Sequence, residues 1–324
     1  MRKENENICS DEEQILKNEK TYDLALAAMV VKLSNFVVPL INEVFHESFT
    51  DAAKVAIKNN KHVVGDADGA LREKETDSYI ELSENFQEKT KKLYHFECET
   101  WYDNSIIIRI AEYSSAIAMD NAVLKDDGVE LTFPRSAVIF LRPDDRIPKL
   151  MKITHNVPGG SISYDVPAIQ IRDYSVDELF DRRLLILLPF VLFRYADKFD
   201  EIQDDEQRLS EISGILNGIN LKLAKLYTAG RITAYQKLTI QELLQRVSDK
   251  LTLNYAEIRK EVDKTMTAEV IRTVADDILE QGIEQGIEQG IEQGNTNGRK
   301  SAAKRMNEDR LPVEKIAQYV GETV

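Results

Sequence analysis

The sequence predicts an α/β protein: a mixed central sheet flanked by helices, followed by an α-helical C-terminal region. Three observations predict it. Between residues 25 and 142 the hydrophobic pattern switches between helical and strand spacing in the order helix, strand, strand, strand, helix, strand. Two more strand-like runs follow, LMKITHNV and SISYDVPAIQIRDY, joined at Pro158-Gly159-Gly160 and extending the same sheet. Residues 205–246 then read as two helices broken near Thr228-Ala229-Gly230, and helical propensity continues from Tyr255 to Leu279.

The first helix is VVPLINEVFHESF, in which Val37, Val38, Ile41, Val44 and Phe45 recur at helical spacing and Pro39 falls early. Glu43 flanks that apolar stripe. TDSYIELS (76–83) is a strand, with Ser78, Ile80 and Leu82 facing one way and Asp77, Tyr79 and Glu81 the other. LYHFECETW (93–101) is a second strand. SIIIRIAEYSSAIAM (105–119) is a helix with Ile106, Ile110, Tyr113 and Ile117 on its core stripe. Arg109 and Tyr113 are four apart and therefore neighbours on its surface. The run from Ala137 to Leu141 is a buried strand. SVDELFDRRLLILLPFVLFRYADKF predicts a further helix, with Ser175 as N-cap and Glu178 completing a capping box. Its segment LLILLPFVLF (184–193), interrupted by Pro189, reads as buried.

The chemistry-bearing residues lie on the two strands. Residues two apart share a strand face, so Glu97 and Glu99 emerge together while Cys98 turns away. If the strands are neighbours, Asp77 joins them. Carboxylates this close resist joint ionisation unless a cation neutralises them. Oxygen-only ligands select a hard ion such as Mg²⁺, which takes one or two carboxylates and keeps waters and a phosphate. A second reading is ordinary: the solvated face of a half-buried sheet. The order of the surrounding elements favours the first. His95 and His155 stand alone in strands and read as packing or surface residues.

That order of elements, with Asp on one strand and an acid–x–variable pair on the next, resembles the PD-(D/E)XK nuclease superfamily. Within it, the chain is most similar to the PD-(D/E)XK nuclease family transposases and recombination-promoting nucleases. The stretches PLINEVF, ETDSYIEL, YHFECE with IIIRIAEYS, and EQGIEQGIEQGIEQG carry the likeness, its catalytic part spanning residues 40–115. The resemblance implies a restriction-endonuclease-like αβββαβ core over residues 21–200. It also implies Mg²⁺-dependent (alternatively Mn²⁺-dependent) DNA endonuclease activity linked to mobile elements or recombination. Glu43 matches the family's helical acid, Asp77 its metal-binding aspartate and Glu97 its metal-binding glutamate. Arg109 and Tyr113 match polar positions of the next helix. Arg109 then contacts a substrate phosphate or an active-site carboxylate, or makes a structural ion pair, while Tyr113 reads mainly as packing. Glu99 departs from the pattern, standing where the superfamily has Lys and this group Gln. It is an extra metal ligand or general base, a tolerated replacement, or the mark of a weakened site. The competing class is a catalytically inactive nuclease-fold protein serving as an interaction or DNA-binding module.

Composition sets further bounds. The 324 residues carry a net charge of −14, which opposes simple duplex binding, where phosphate neutralisation dominates. Local basic surfaces on an acidic body are therefore expected. Residues 299–305 (RKSAAKR) hold four basic residues and no acid, whereas Asp200–Glu206 is an acidic run that reads as a solvated loop or helix start. No apolar run approaches the ~20 residues of a membrane span, and the charged first 20 residues lack a signal peptide's apolar segment. Cys9 and Cys98 are the only cysteines. A disulfide framework is implausible, a reducing cytoplasm fits, and no zinc site is indicated.

The C-terminal third carries a true repeat. The expected divisions are a charged tail (1–20), the α/β domain (21–200), a helical region (201–279), the repeat (280–298) and a small helical module (299–324). Glu-Gln-Gly-Ile recurs with period four from Glu280 to Gly294. In a helix that period drifts by ~40° per repeat, winding an Ile stripe beside a Gly stripe. Each Gly costs ~1 kcal/mol against Ala, so such a helix needs close contact with a partner. Self-association and a flexible linker are both open. The final module resembles two tightly joined helices, with Pro312 suited to a first turn. Lys315 is the sole basic residue of LPVEKIAQYV, which favours an interaction module over a DNA reader.

Overall fold

The computed structural model describes residues 22, 24–58, 61–65, 71–75, 78–84 and 91–266, with backbone alone at 61–65 and 71–75. Contacts divide the chain into Met1–Val270 and Ile271–Val324, and the described residues all belong to the first unit. Asp77, the N-terminal tail, the EQGI repeat and the C-terminal module lie outside the described residues.

The architecture is α/β. Six strands form one mixed sheet in the order β1-β4-β5-β8-β10-β9. They are β1 (Lys54–Ile57), β4 (Ser78–Ser83), β5 (Lys92–Glu99), β8 (Arg135–Phe140), β9 (Leu150–Val157) and β10 (Gly160–Gln170). β1, β4 and β5 are antiparallel neighbours, β8 runs parallel to both β5 and β10, and β9–β10 is an antiparallel hairpin. Two small hairpins stand apart: β2 (Lys61–Gly65) with β3 (Leu71–Glu75), and β6 (Val123–Lys125) with β7 (Gly128–Glu130). The extension of the sheet beyond residue 142 is as the alternating patterns predicted.

Helices cover both faces. On one face lie α1 (Leu24–Lys32) and α2 (Val37–Phe45), whose Leu26, Met29, Val37, Ile41 and Phe45 share a core with Ile80, Leu82, Tyr94, Phe96, Cys98, Ala137 and Ile139. α2 stops at His46, which takes a left-handed conformation (φ 55°). On the other face lies α3 (Ile106–Asp120), where Ile106 and Ile110 pack on Val138, Phe140, Ile153 and Val166. The even residues of β5 thus face α1 and α2, and the odd residues face α3, as the strand period requires. Among the described residues no single helix is long and apolar enough to cross a membrane; the pair 24–32 and 34–45 reaches that length only together and bends by 104°.

The segment predicted as one helix over 175–199 is different. α4 (Val176–Asp181) forms with the expected capping box, the Ser175 hydroxyl accepting from Glu178 N at 3.1 Å. It ends before Arg183, whose φ of 61° breaks the helix. A buried 3₁₀ run, Leu185–Lys198, follows. Pro189 explains the departure: it has no N–H to donate, and its ring clashes with the carbonyl four residues back in an α-helix. α5 (Phe199–Ile202), α6 (Glu206–Thr228), α7 (Ala234–Leu251) and α8 (256–266) complete the described chain. Gly230, at φ 65°, turns the chain between α6 and α7. Leu216, Ile219, Ile240, Leu244, Ile258 and Met266 belong to the same apolar core as the sheet, so residues 201–266 pack as part of the α/β body.

Candidate active site

The α3 face of β5 carries a chain of buried polar groups. Leu93, His95, Glu97 and Glu99 alternate along it. Glu97 is 4% exposed and His95 fully buried. His95 Nε2 lies 2.7 Å from Glu97 Oε1, and His95 Nδ1 lies 3.2 Å from the hydroxyl of Ser136 on β8. The neighbouring strand supplies Ser136 because the parallel register sets His95 opposite it. Ser136 is 2.9 Å from the hydroxyl of Ser114 on α3. Tyr113 meets the His95 ring edge-on, with centroids 5.7 Å apart.

Burial pushes the His95 imidazole down to about 3, so the ring is neutral near neutral pH. With Glu97 ionised, its carboxylate can only accept, so the ring proton then sits on Nε2 and Nδ1 accepts from Ser136. A buried carboxylate without donors would be costly; here a fixed imidazole supplies one.

Glu99 follows two residues along the same face, and Cys98 turns to the opposite core, as the strand period predicted. The Glu99 carboxylate forms an ion pair with Arg109 of α3. Arg109 thus contacts a carboxylate of the predicted site, one of the alternatives open in the sequence. Tyr113 sits beside it as a packing partner of His95.

Glu43 is elsewhere. It projects from α2, on the opposite side of the sheet. It pairs with Arg182 at 2.5 Å and accepts from the Tyr174 hydroxyl at 3.5 Å. Burial, followed by the Glu43 charge, pushes the Tyr174 phenol up to about 12. Glu43 and Arg182 line a cleft of about 1460 Å³ together with Tyr174, Arg135, Phe133 and Tyr164; neither Glu97 nor Glu99 lines it. Among the described residues no group of three or more His, Cys, Asp or Glu is placed to hold a metal ion. The described part of the site therefore brings together Glu97, Glu99, Arg109 and Tyr113 and leaves Glu43 apart.

Sequence reasoning missed His95, Ser136 and Ser114. The spacing His95-x-Glu97 was the available signal, since it puts the ring and the carboxylate on one strand face. The serines could be found only from the β5–β8 register.

A hard divalent ion takes oxygen ligands, with one or two carboxylates sufficing. Glu97, a carboxylate fixed by a buried donor, fits one such ligand in chemistry. Glu99 is engaged by Arg109, and Asp77 lies outside the described residues. Comparison with protein-family models, with curated proteins and with solved structures gave no match.

Proposed function

We propose that this chain is a metal-dependent DNA endonuclease of the PD-(D/E)XK type, with Glu97 and Asp77 as carboxylate ligands of Mg²⁺ or Mn²⁺. The observation that carries the reading is the buried Glu97, held by His95 on the strand face it shares with Glu99. The order α2, β1, β4, β5, α3, β8, with β8 parallel to β5, supports an αβββαβ nuclease core. The β4–β5 pairing is described as far as Ser78↔Phe96. The proposal requires that register to run on by one residue, which would bring Asp77 opposite Glu97.

When bound, the ion would polarise the phosphoryl oxygen and lower the pKa of the attacking water. The residues present do the rest. His95 holds the Glu97 carboxylate in place. Arg109 neutralises Glu99, whose charge would otherwise repel a phosphate beside it. The Glu43–Arg182 pair lines the cleft on the other side of the sheet and takes no part in this chemistry. The link to mobile elements rests on the resemblance.

A specific observation favours the second reading, a non-catalytic interaction module: Glu99 is tied up by an arginine in a chain of net charge −14. Cleavage assays decide. Protein with Mg²⁺ or Mn²⁺ is expected to cut DNA, and Asp77→Ala or Glu97→Ala to abolish cutting while the chain stays folded. Equal inactivity of wild type and Asp77→Ala on every DNA form would leave the interaction module standing.

A further inference from the structure

We infer that His95 is a positioning residue for Glu97: through a fixed ring it sets the orientation in which that carboxylate meets the metal. This deepens the nuclease reading and rests on it. Three observations carry it. The 2.7 Å contact joins Nε2 to Oε1 of the same carboxylate that the reading gives to the ion. The ring cannot turn, because Ser136 holds Nδ1 at 3.2 Å and Tyr113 packs against it in a T-shaped contact at 5.7 Å between centroids. Ser136 is held in turn by Ser114 at 2.9 Å, so the chain of bonds ties β5 and β8 to α3.

Carboxylate ligands in metal sites are themselves hydrogen-bonded, and removing such outer partners commonly costs about 10–100-fold in affinity. The physical reason is that a glutamate swings about three side-chain torsions. A ligand that must find its rotamer on each binding event binds weakly. A donor fixed beside the carboxylate removes that freedom. His95 is two residues away on the same face and completely buried, so solvent does not compete for the bond. The bond needs only a proton on Nε2, which the Nε2-protonated neutral tautomer and the imidazolium both carry.

A purely structural His95 would matter for stability alone; a positioning His95 also sets metal affinity. The test is a Mn²⁺ titration of the full chain by electron paramagnetic resonance, which reads binding apart from turnover, with thermal melts alongside. Wild type, Glu97→Gln, His95→Gln, His95→Leu and Ser136→Ala are compared. His95→Gln keeps an amide donor at similar reach and is expected to bind within about threefold of wild type. His95→Leu is expected to bind about 10–100-fold more weakly. Ser136→Ala releases the ring without emptying its site; it is expected to remain folded with a lowered melting temperature, from the lost buried hydrogen bonds, and to bind Mn²⁺ several-fold more weakly. If His95→Leu fails to fold, Ser136→Ala decides. Unchanged affinity in a folded His95→Leu or in Ser136→Ala overturns the inference, as does a loss in His95→Gln equal to that in His95→Leu. If wild-type binding is lost in Glu97→Gln yet indifferent to His95 and Ser136, the positioning role alone fails. If folded wild type binds no Mn²⁺, the nuclease reading fails and takes this inference with it.

Discussion

The ion pair between Glu99 and Arg109 can be tested as a charge-compensating unit. Glu99 stands where the resembling nucleases carry Gln or Lys, and its carboxylate would lie beside the scissile phosphate. Two like charges about 5 Å apart at an effective dielectric constant of about 20 repel by about 3 kcal/mol. That is roughly a hundredfold in rate, and Arg109 offsets most of it. Arg109→Gln is therefore expected to slow DNA cleavage by about 10–100-fold. Glu99→Gln should leave the rate within about threefold of wild type, and the double variant should return to the level of Glu99→Gln. Stability will barely register any of these changes. The two side chains are 21% and 44% exposed, and exposed pairs contribute about 0.2–1 kcal/mol. Single-turnover cleavage at saturating Mg²⁺ gives the cycle. If Arg109→Gln loses as much in the Glu99→Gln background as alone, Arg109 acts on the substrate and the compensation account is wrong. A large loss in Glu99→Gln alone, not rescued by Mg²⁺, would instead make Glu99 a ligand or base.

Other expectations concern the scaffold. Glu47 accepts from Lys92 at 2.8 Å and Tyr94 at 2.9 Å and pairs with Arg135, tying the segment after α2 to β5 and β8. Glu47→Gln should destabilise the fold by about 1–3 kcal/mol in urea denaturation. Burial pushes the Glu47 carboxyl up, but those partners outweigh it and hold the group below its usual 4.5. Its stabilising contribution is thus present above pH 4.5 and lost as pH falls through the lowered value, so the variant's deficit should shrink on acidification; a deficit that stays constant until both proteins unfold in acid would contradict this. Asp249 on α7 is raised above its usual 3.8, first by burial and then by Asp263. A raised carboxyl costs stability once pH climbs above the ordinary value, so Asp249→Asn should raise the melting temperature at pH 7, with the gain vanishing below about pH 3.8. No gain at pH 7 would mean that the charge is accommodated.

The strand faces were legible because alternation in SYIELS and YHFECE is local: each residue's side follows from its neighbours. Ser175 with Glu178, and the break at Gly230, were legible for the same reason, being short-range rules of capping and turn geometry. The 3₁₀ run at Leu185–Lys198 was not, because a continuous apolar stretch fits any buried conformation and Pro189 alone does not say which replaces the α-helix. The β6–β7 hairpin was passed over, although Asp127-Gly128 offered a turn signal. Glu43 illustrates the larger limit. Its partner, Arg182, lies 139 residues away, so only the tertiary fold could show that the carboxylate is engaged. His95 failed in the opposite sense. It looked isolated in sequence because Ser136, 41 residues on, meets it only through the parallel β5–β8 register.

Nicking of supercoiled plasmid in Mg²⁺ by wild type and by Glu97→Gln tests the central claim most directly. The substitution replaces a buried carboxyl with an amide of nearly the same shape, which cannot offer a carboxylate to a metal ion. Wild type is expected to convert the plasmid to nicked and linear forms, and Glu97→Gln to do so at least about 100-fold more slowly while remaining folded. Equal cutting by the two proteins, or an intact plasmid after long incubation of wild type with both Mg²⁺ and Mn²⁺, would contradict the account.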